Sequence, residues 1–131
     1  MIRNQLTAVL FLATLLLACT SYEEPDSGID CGRQFINATY QGNFKRAKQL
    51  LLAGPEQQEL LESRIEKEFR SKDSNGREAL SKSSIVVRNI EQQGDSVLYI
   101  SYLNAYDNQE RRLRVVNGAD GWKTDLAYSF R

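Results

Sequence analysis

The chain has 131 residues, with 17 Lys and Arg against 17 Asp and Glu, two Cys, one Trp and no His. This length allows one ordinary domain. The balanced charge argues against a general nucleic-acid binder, which needs excess positive charge to displace counterions from phosphates. The lack of His excludes His-based triads and HExxH-type zinc sites, and two cysteines are too few for a Cys₄ zinc site. With no P-loop or Gly-x-Gly-x-x-Gly, the sequence predicts no metal or other cofactor.

The N-terminus has the layout of a secretory signal. One basic residue, Arg3, precedes an apolar run at residues 6–18, which is shorter than the roughly 20 residues of a membrane-spanning helix. The run ends in Leu16-Leu17-Ala18-Cys19, which resembles the bacterial lipobox. The resemblance implies a signal peptide at residues 1–18, cleavage before Cys19 and lipidation of that cysteine. The alternative is an ordinary signal peptide that happens to contain a cysteine.

Residues 19–31 would then form the lipidated cysteine and a flexible tether. Residues 20–30 hold four acidic side chains, no basic one, one Pro and one Gly, without helical or strand periodicity. This composition is typical of a solvated linker. Thr20 is not the Asp associated with inner-membrane retention, so the sequence favours the outer membrane, at its periplasmic or its surface face.

The second cysteine, Cys31, has no disulfide partner within the chain if Cys19 carries lipid. One interpretation is a free thiol or an intermolecular bridge. The other is a small hydrophobic side chain packed at the start of the first helix. A catalytic thiol is disfavoured because the chain has no His to activate it.

Apolar residues at helical spacing predict three helices, over residues 32–41, from Phe44, and from Pro55 to about Ser71. Asn43 suits the N-cap of the second helix, and Pro55 suits the first position of the third. The polar residues 72–83 contain Asn75-Gly76 and predict a loop.

From Ser84 onward the pattern changes to strands. Four are predicted, at residues 85–90, 97–106, 111–116 and 122–128, joined by turns short enough for hairpins. Helices followed by strands indicate an α+β domain over residues 32–131, with three N-terminal helices packed on a curved four-stranded antiparallel meander.

The side-chain pattern also predicts a register. An even-length turn at Asp107-Asn108 pairs Tyr102 with Leu113 and Ile100 with Val115, and directs these apolar residues toward the helices. The same parity places Asp125 on the outer face beside Arg112 or Arg114, as an ordinary exposed ion pair. The inward residues of the last strand are then Trp122, Thr124, Leu126 and Tyr128. For the first strand, the side-chain pattern does not decide which of the two faces packs on the core.

Two segments carry a resemblance to a known family. Residues 42–48 read Gly-Asn-Phe-Lys-Arg-Ala-Lys, and residues 121–126 read Gly-Trp-Lys-Thr-Asp-Leu. With the amphipathic helix before them, they resemble small bacterial lipoproteins whose domain of unknown function belongs to the nuclear-transport-factor-2-like, or cystatin-like, superfamily. The resemblance covers residues 33–126 and implies a cone-like fold. It implies no catalytic residue, because the family has no agreed activity.

Three functional hypotheses follow. The cone of the superfamily implies a cavity for a small apolar ligand, and the side chains suited to line it are Tyr40, Tyr102 and Trp122. The competing interpretation is that these three side chains fill the core. A second hypothesis is an interface for an envelope protein or a homodimer on the outer sheet face, which would present Tyr99, Leu103, Arg112 and Arg114. Its alternative is an ordinary solvated face.

The third hypothesis is an isomerase- or dehydratase-like enzyme, as in other members of the fold. Such enzymes use a carboxylate base in an apolar pocket. Here the strand acids Glu91, Glu110 and Asp125 lie at turns or on the predicted outer face. The sequence therefore favours a membrane-anchored envelope lipoprotein that is a non-catalytic binding or interaction module, with the enzyme as the alternative.

Overall fold

The computed structural model describes residues 23–130, so the predicted signal peptide and Cys19 lie outside the described residues. The fold is α+β, with helices preceding a four-stranded antiparallel sheet of order β1-β2-β3-β4. The elements, in chain order, are α1 Gly28–Tyr40, α2 Phe44–Gln49, α3 Pro55–Leu60, a π-helical segment Leu61–Glu66, α4 Lys67–Ser71, α5 Ser74–Lys82, β1 Ile85–Gln93, β2 Val97–Asn104, β3 Glu110–Gly118, β4 Gly121–Asp125 and α6 Leu126–Ser129. The predicted class and strand order are confirmed, whereas the helices differ in number and extent.

Helix α1 begins at Gly28, four residues before the predicted start, because Ser27 caps it. The Ser27 hydroxyl accepts a hydrogen bond from the Asp30 N–H at 3.1 Å, and Asp30 places a negative charge in the first turn. The buried face of α1 packs on the sheet so closely that a Cβ on Gly32 would clash with Ile100. The last residues of the predicted tether are therefore helical.

The predicted third helix is one helical run made of α3, the π-helical segment and α4. Pro55 occupies its first turn, and Leu61 in the middle is fully buried. Ile65 and Phe69 pack against the core from the same side. The run follows the predicted range, while the π-helical geometry within it is a local feature that the periodicity does not indicate.

The predicted loop at residues 72–83 is wrong, because Ser74–Lys82 forms helix α5. Asp73 provides the N-cap and accepts a hydrogen bond from the Gly76 N–H at 2.7 Å. Asn75 and Gly76 therefore occupy the first turn of a helix rather than a reverse turn. Leu80, one turn later, is buried and fixes α5 to the rest of the domain.

The turn after α1 depends on Gly42, which has φ +73°. A Cβ at this position would lie 2.7 Å from Cε1 of Phe69, whose ring packs edge-on against Phe44 with centroids 5.6 Å apart. We expect Gly42→Ala to lower the free energy of unfolding by about 2–3 kcal/mol, because left-handed strain and overpacking add together. Gly94→Ala is the matched control in urea unfolding, since Gly94 has φ +63° but no atom near its Cβ position. Equal losses in the two variants would show that the Phe69 contact is unimportant.

The predicted faces of β2 and β3 are confirmed, but the predicted pairing is wrong by two residues. Tyr102 pairs with Arg111 instead of Leu113, and Ile100 pairs with Leu113. The reason is Asn104, which is fully buried and ends β2 early. Its side-chain amide donates to the Leu80 carbonyl at 3.1 Å and its oxygen accepts from the Tyr106 N–H at 2.8 Å. The loop is therefore longer than predicted and still even in length, which preserves the faces.

The last strand ends at Asp125, three residues before its predicted end. Asp125 caps α6 by accepting a hydrogen bond from the Tyr128 N–H at 3.3 Å, and the chain leaves the sheet there. Thr124 and Leu126 point inward as predicted, with Trp122 packed at the edge of the core. The inward position predicted for Tyr128 is wrong, because its side chain is exposed on α6.

The face of β1 left open by the sequence is set by an irregularity in its pairing. Ile85 and Val87 pack against the core, and the register shifts between Val87 and Asn89. Beyond this bulge, Glu91 lies opposite Tyr99 and extends over the outer face of the sheet.

Candidate ligand-binding cleft

A cleft of about 320 Å³ opens between the inner face of β2 and β3 and the helical run formed by the π-helical segment and α4. This volume is at the lower end of the range of small-molecule sites. Much of its lining is apolar and comes from α1, the helical run, the sheet and the C-terminal residues, namely Phe35, Ile65, Phe69, Leu113, Leu126 and Phe130. Charged side chains also line it, namely Arg64, Glu68, Lys72, Asp107, Glu110, Arg111 and Arg112. The cleft is thus an apolar space with a charged margin.

Arg111 joins several polar groups in the cleft. Its Nη1 donates a hydrogen bond to the hydroxyl oxygen of Tyr40 at 3.0 Å, while its Nη2 lies 3.1 Å from Asp107 Oδ2 and 3.5 Å from Glu68 Oε1. Burial raises the pKa of Tyr40 to about 12, which keeps its hydroxyl protonated at physiological pH. Since the Tyr40 oxygen accepts from Arg111, its own proton points elsewhere.

Tyr102 lies beside this group, because it is the cross-strand partner of Arg111. Its side chain is only 8% exposed, and burial raises its pKa well above the usual value for tyrosine. The two phenols of the cleft are therefore both hydrogen-bond donors over the physiological pH range.

Two of the three sequence candidates for the cavity, Tyr40 and Tyr102, line the cleft, and Trp122 does not. Trp122 lies near the other end of α1, where a Cβ on Gly28 would be 3.0 Å from its Cζ3 atom. Sequence reasoning missed Arg111, although its parity with Leu113 places it on the inner face of β3. A charged residue at an inward strand position was the signal that could have identified it.

The outer sheet face is largely covered by its own side chains. Tyr99 is 6% exposed and Leu103 is 7% exposed, so both side chains are largely covered within the single chain. The guanidinium of Arg112 lies 4.2 Å from the centroid of the Tyr99 ring and pairs with Glu91 at 3.0 Å. Tyr99 also contacts the Tyr128 ring, with centroids 5.4 Å apart. These contacts within the chain explain why aromatic and basic residues occur on the outer face of the sheet.

The ion pair predicted at Asp125 forms with Arg114, at 2.6 Å, but it is not an ordinary exposed pair. Asp125 is 8% exposed and also accepts a hydrogen bond from Nε2 of Gln57 at 2.9 Å. Burial alone would raise the pKa of Asp125, yet the hydrogen bonds from Gln57, Arg114 and the Tyr128 N–H together lower it below its usual value. Gln57 in turn accepts the Leu126 N–H at 2.7 Å, so the network joins α3, β4 and α6.

Cys31 is fully buried, and its Sγ lies 3.4 Å from the Trp122 carbonyl oxygen, to which it donates a hydrogen bond. Burial raises the pKa of this thiol to about 11, which leaves little reactive thiolate at neutral pH. The structure thus favours the packed-hydrophobe interpretation. In the Cys19→Ser variant, which leaves Cys31 as its one thiol, we expect one equivalent to react with Ellman's reagent in denaturant and almost none in the folded protein within the same time. Rapid labelling of the folded protein would contradict this.

No protein-family model matches the chain, and comparisons with curated proteins and with solved structures likewise find no match. Between residues 23 and 130, no helix has the length and apolar character needed to cross a membrane. Within that same range, no three Cys, Asp or Glu side chains cluster as metal ligands would.

Proposed function

We propose that the chain is a lipid-anchored protein of the bacterial envelope, and that its nuclear-transport-factor-2-like domain is a non-catalytic binding module. The single observation that carries the binding role is the cleft of about 320 Å³, which combines apolar walls with the Tyr40, Tyr102 and Arg111 side chains. A space of this size lined by a few convergent polar groups is the usual form of a small-molecule site.

The anchor is supported by the lipobox-like residues that end in Cys19. The position of the first described residues fits such an anchor, because Glu24 lies among residues of the β3–β4 turn, including Gly118 and Gly121. The cleft lies near the opposite end of β3, where Glu110 and Arg111 line it. Since a strand rises roughly 3.3 Å per residue, these two ends are about 25 Å apart. Glu24 and the cleft therefore lie at opposite ends of β3, which fits a cleft that faces away from the membrane in an anchored protein, with the outer membrane favoured.

The binding role is favoured over catalysis by the state of the carboxylates in the cleft. Glu68 and Asp107 both pair with Arg111, and Glu110 is exposed at the start of β3. An isomerase- or dehydratase-like mechanism would need one of them as a general base held in an apolar environment. Glu68 and Asp107 are instead held in ion pairs with Arg111.

The binding role is tested by native mass spectrometry of the protein purified gently from its own host. We expect a small molecule bound at one per chain. Ile65→Trp, which fills the cleft from the helical run, should lose this mass, whereas Glu59→Trp on the exposed side of α3 should retain it. A protein that carries no small molecule, or equal retention by both variants, would contradict the proposed function.

A further inference from the structure

We infer that the cleft binds an uncharged, mainly apolar ligand through a carbonyl oxygen that accepts a hydrogen bond from Tyr102. The ligand class is thus a neutral ketone, ester or amide with an apolar body, and Tyr102 is the residue that selects it. This inference rests on the proposed function, because it names the chemistry of the ligand in the same cleft.

The first argument is the unused hydroxyl of Tyr102. Although the side chain is more than nine-tenths buried, its hydroxyl makes no hydrogen bond to any other residue of the described range 23–130. The hydroxyl is also not fully enclosed by protein. In this range, Arg114 Nε is the one side-chain polar atom that is both inaccessible and without a hydrogen-bond partner, so the Tyr102 hydroxyl, which has no partner, must be accessible. Tyr102 therefore presents its hydroxyl to the cleft it lines. A tyrosine whose ring is buried and whose hydroxyl opens to the cleft without a protein partner leaves a donor free for a ligand acceptor.

The second argument is the geometry of the neighbouring donor. The Tyr40 oxygen accepts from Arg111, so the Tyr40 proton is available to a second acceptor. Tyr102 is the cross-strand partner of Arg111, which brings its phenol to the same inner end of the cleft. Both phenols are donors in their protonated forms, so the ligand must supply an acceptor atom, such as a carbonyl oxygen.

The third argument concerns charge. Arg111 is balanced by Asp107 and Glu68, so this end of the cleft already holds two carboxylates around one guanidinium. Arg64 and Lys72 also line the cleft, but the charged groups that act on both phenols are Arg111, Asp107 and Glu68. A third carboxylate, bound by the ligand at Tyr102, would add to this local negative excess. Arg112 does not offset it, because its guanidinium stacks on Tyr99 and pairs with Glu91 across the sheet. A neutral acceptor therefore fits this end better than an anion.

The remaining walls indicate an apolar body for the ligand. Phe35, Leu113 and Phe69 come from α1, β3 and α4 and close the space around the two phenols. Such walls favour a hydrocarbon or aromatic group, which gains free energy when it leaves water.

The test uses the lipidated protein in nanodiscs and three probes of nearly equal size, namely acetophenone, benzoate and ethylbenzene. Binding is measured by ligand-observed NMR titration, with empty nanodiscs as the blank. We expect acetophenone to bind at least five-fold more tightly than either other probe. Tyr102→Phe should weaken acetophenone binding about five-fold, the effect of one net hydrogen bond, and leave ethylbenzene unchanged. Tyr106→Phe, an exposed tyrosine outside the cleft, is the matched control.

A stability measurement on the same variants separates binding from folding. Because the Tyr102 hydroxyl has no partner in the described range, Tyr102→Phe should melt at the same temperature as the wild type or higher. Tighter binding of benzoate than of acetophenone would overturn the neutral-ligand inference. Equal binding of acetophenone and ethylbenzene, insensitive to Tyr102→Phe, would overturn the role of the hydroxyl while leaving the proposed function intact. Failure of all three probes to bind would count against both.

Discussion

Replacing Asp125 with Ala is expected to lower the free energy of unfolding by about 3 kcal/mol, a large part of the stability of a domain this size. The substitution leaves the buried Gln57 amide and the Arg114 guanidinium without their carboxylate, and it removes the cap of α6. For a domain of about 100 residues this corresponds to a fall in melting temperature of roughly 12–24 °C. Thermal and urea unfolding followed by circular dichroism measure both quantities.

The control for this prediction is Asp120→Ala, since Asp120 is an exposed residue of the β3–β4 turn. We expect its effect to stay within about 0.5 kcal/mol. A loss in Asp125→Ala no larger than that of the control would show that the network joining α3, β4 and α6 contributes little to stability.

The same residue gives a pH dependence of known sign. The pKa of Asp125 is lower in the folded protein than in the unfolded chain, where an Asp titrates near about 3.9. Its contribution is therefore fully present above that pH and is lost as the pH falls through the lower, folded-state value. The stability difference between wild type and Asp125→Ala should be constant from pH 5 to 7 and should shrink as the pH falls below about 4. A difference that persists undiminished in acid would contradict the assignment.

Replacing Cys19 with Ser is expected to abolish incorporation of labelled palmitate and to move the protein from the membrane to the soluble envelope fraction. The physical reason is that stable anchoring needs more than one acyl chain, and the thioether at Cys19 is where the first chains would attach. Metabolic labelling followed by membrane fractionation measures both effects.

Cys31→Ser is the matched control, because Cys31 lies buried within α1 and is out of reach of a lipid-transferring enzyme. This variant should keep its label and its place in the membrane. Labelled protein in Cys19→Ser, or an unlabelled wild type, would contradict the lipoprotein assignment.

The parts of the fold that follow from local pattern were predictable from the sequence. The alternation in β2 and β3 gave the inward set that includes Ile100 and Leu113, because a side-chain period of two survives a shift of register by two residues. The α+β class followed from the order of helical and strand periods.

The structure differs from the prediction where a single polar side chain decides where a helix or a strand begins or ends. Asn104 ends β2 by donating a hydrogen bond to the Leu80 carbonyl. Leu80 belongs to α5, a helix whose polar composition predicts a loop. Asp73 turns an Asn-Gly pair into the first turn of that helix, and Asp125 ends β4 by capping α6. Hydrophobic periodicity does not predict where these helices and strands begin or end, because residues that cap helices also favour loops.

The candidate cleft was only partly predictable. Tyr40 and Tyr102 are predictable, because amphipathic aromatics suit the wall of a cavity, whereas Arg111 is not among the residues that the sequence predicts for it. Trp122 was selected for the same reason as the two tyrosines, but it packs at the far end of α1. Which aromatic lines a cavity depends on where the helices cross the sheet, and that is a property of the tertiary structure.

The most direct test of the proposed binding role is a crystal structure of the protein purified from its own host, at a resolution that identifies small molecules. We expect electron density for one small molecule in the cleft, with an oxygen atom at hydrogen-bond distance, about 2.5–3.0 Å, from the Tyr102 hydroxyl. A cleft that holds only ordered water, with a small molecule absent or bound against another surface, would contradict it.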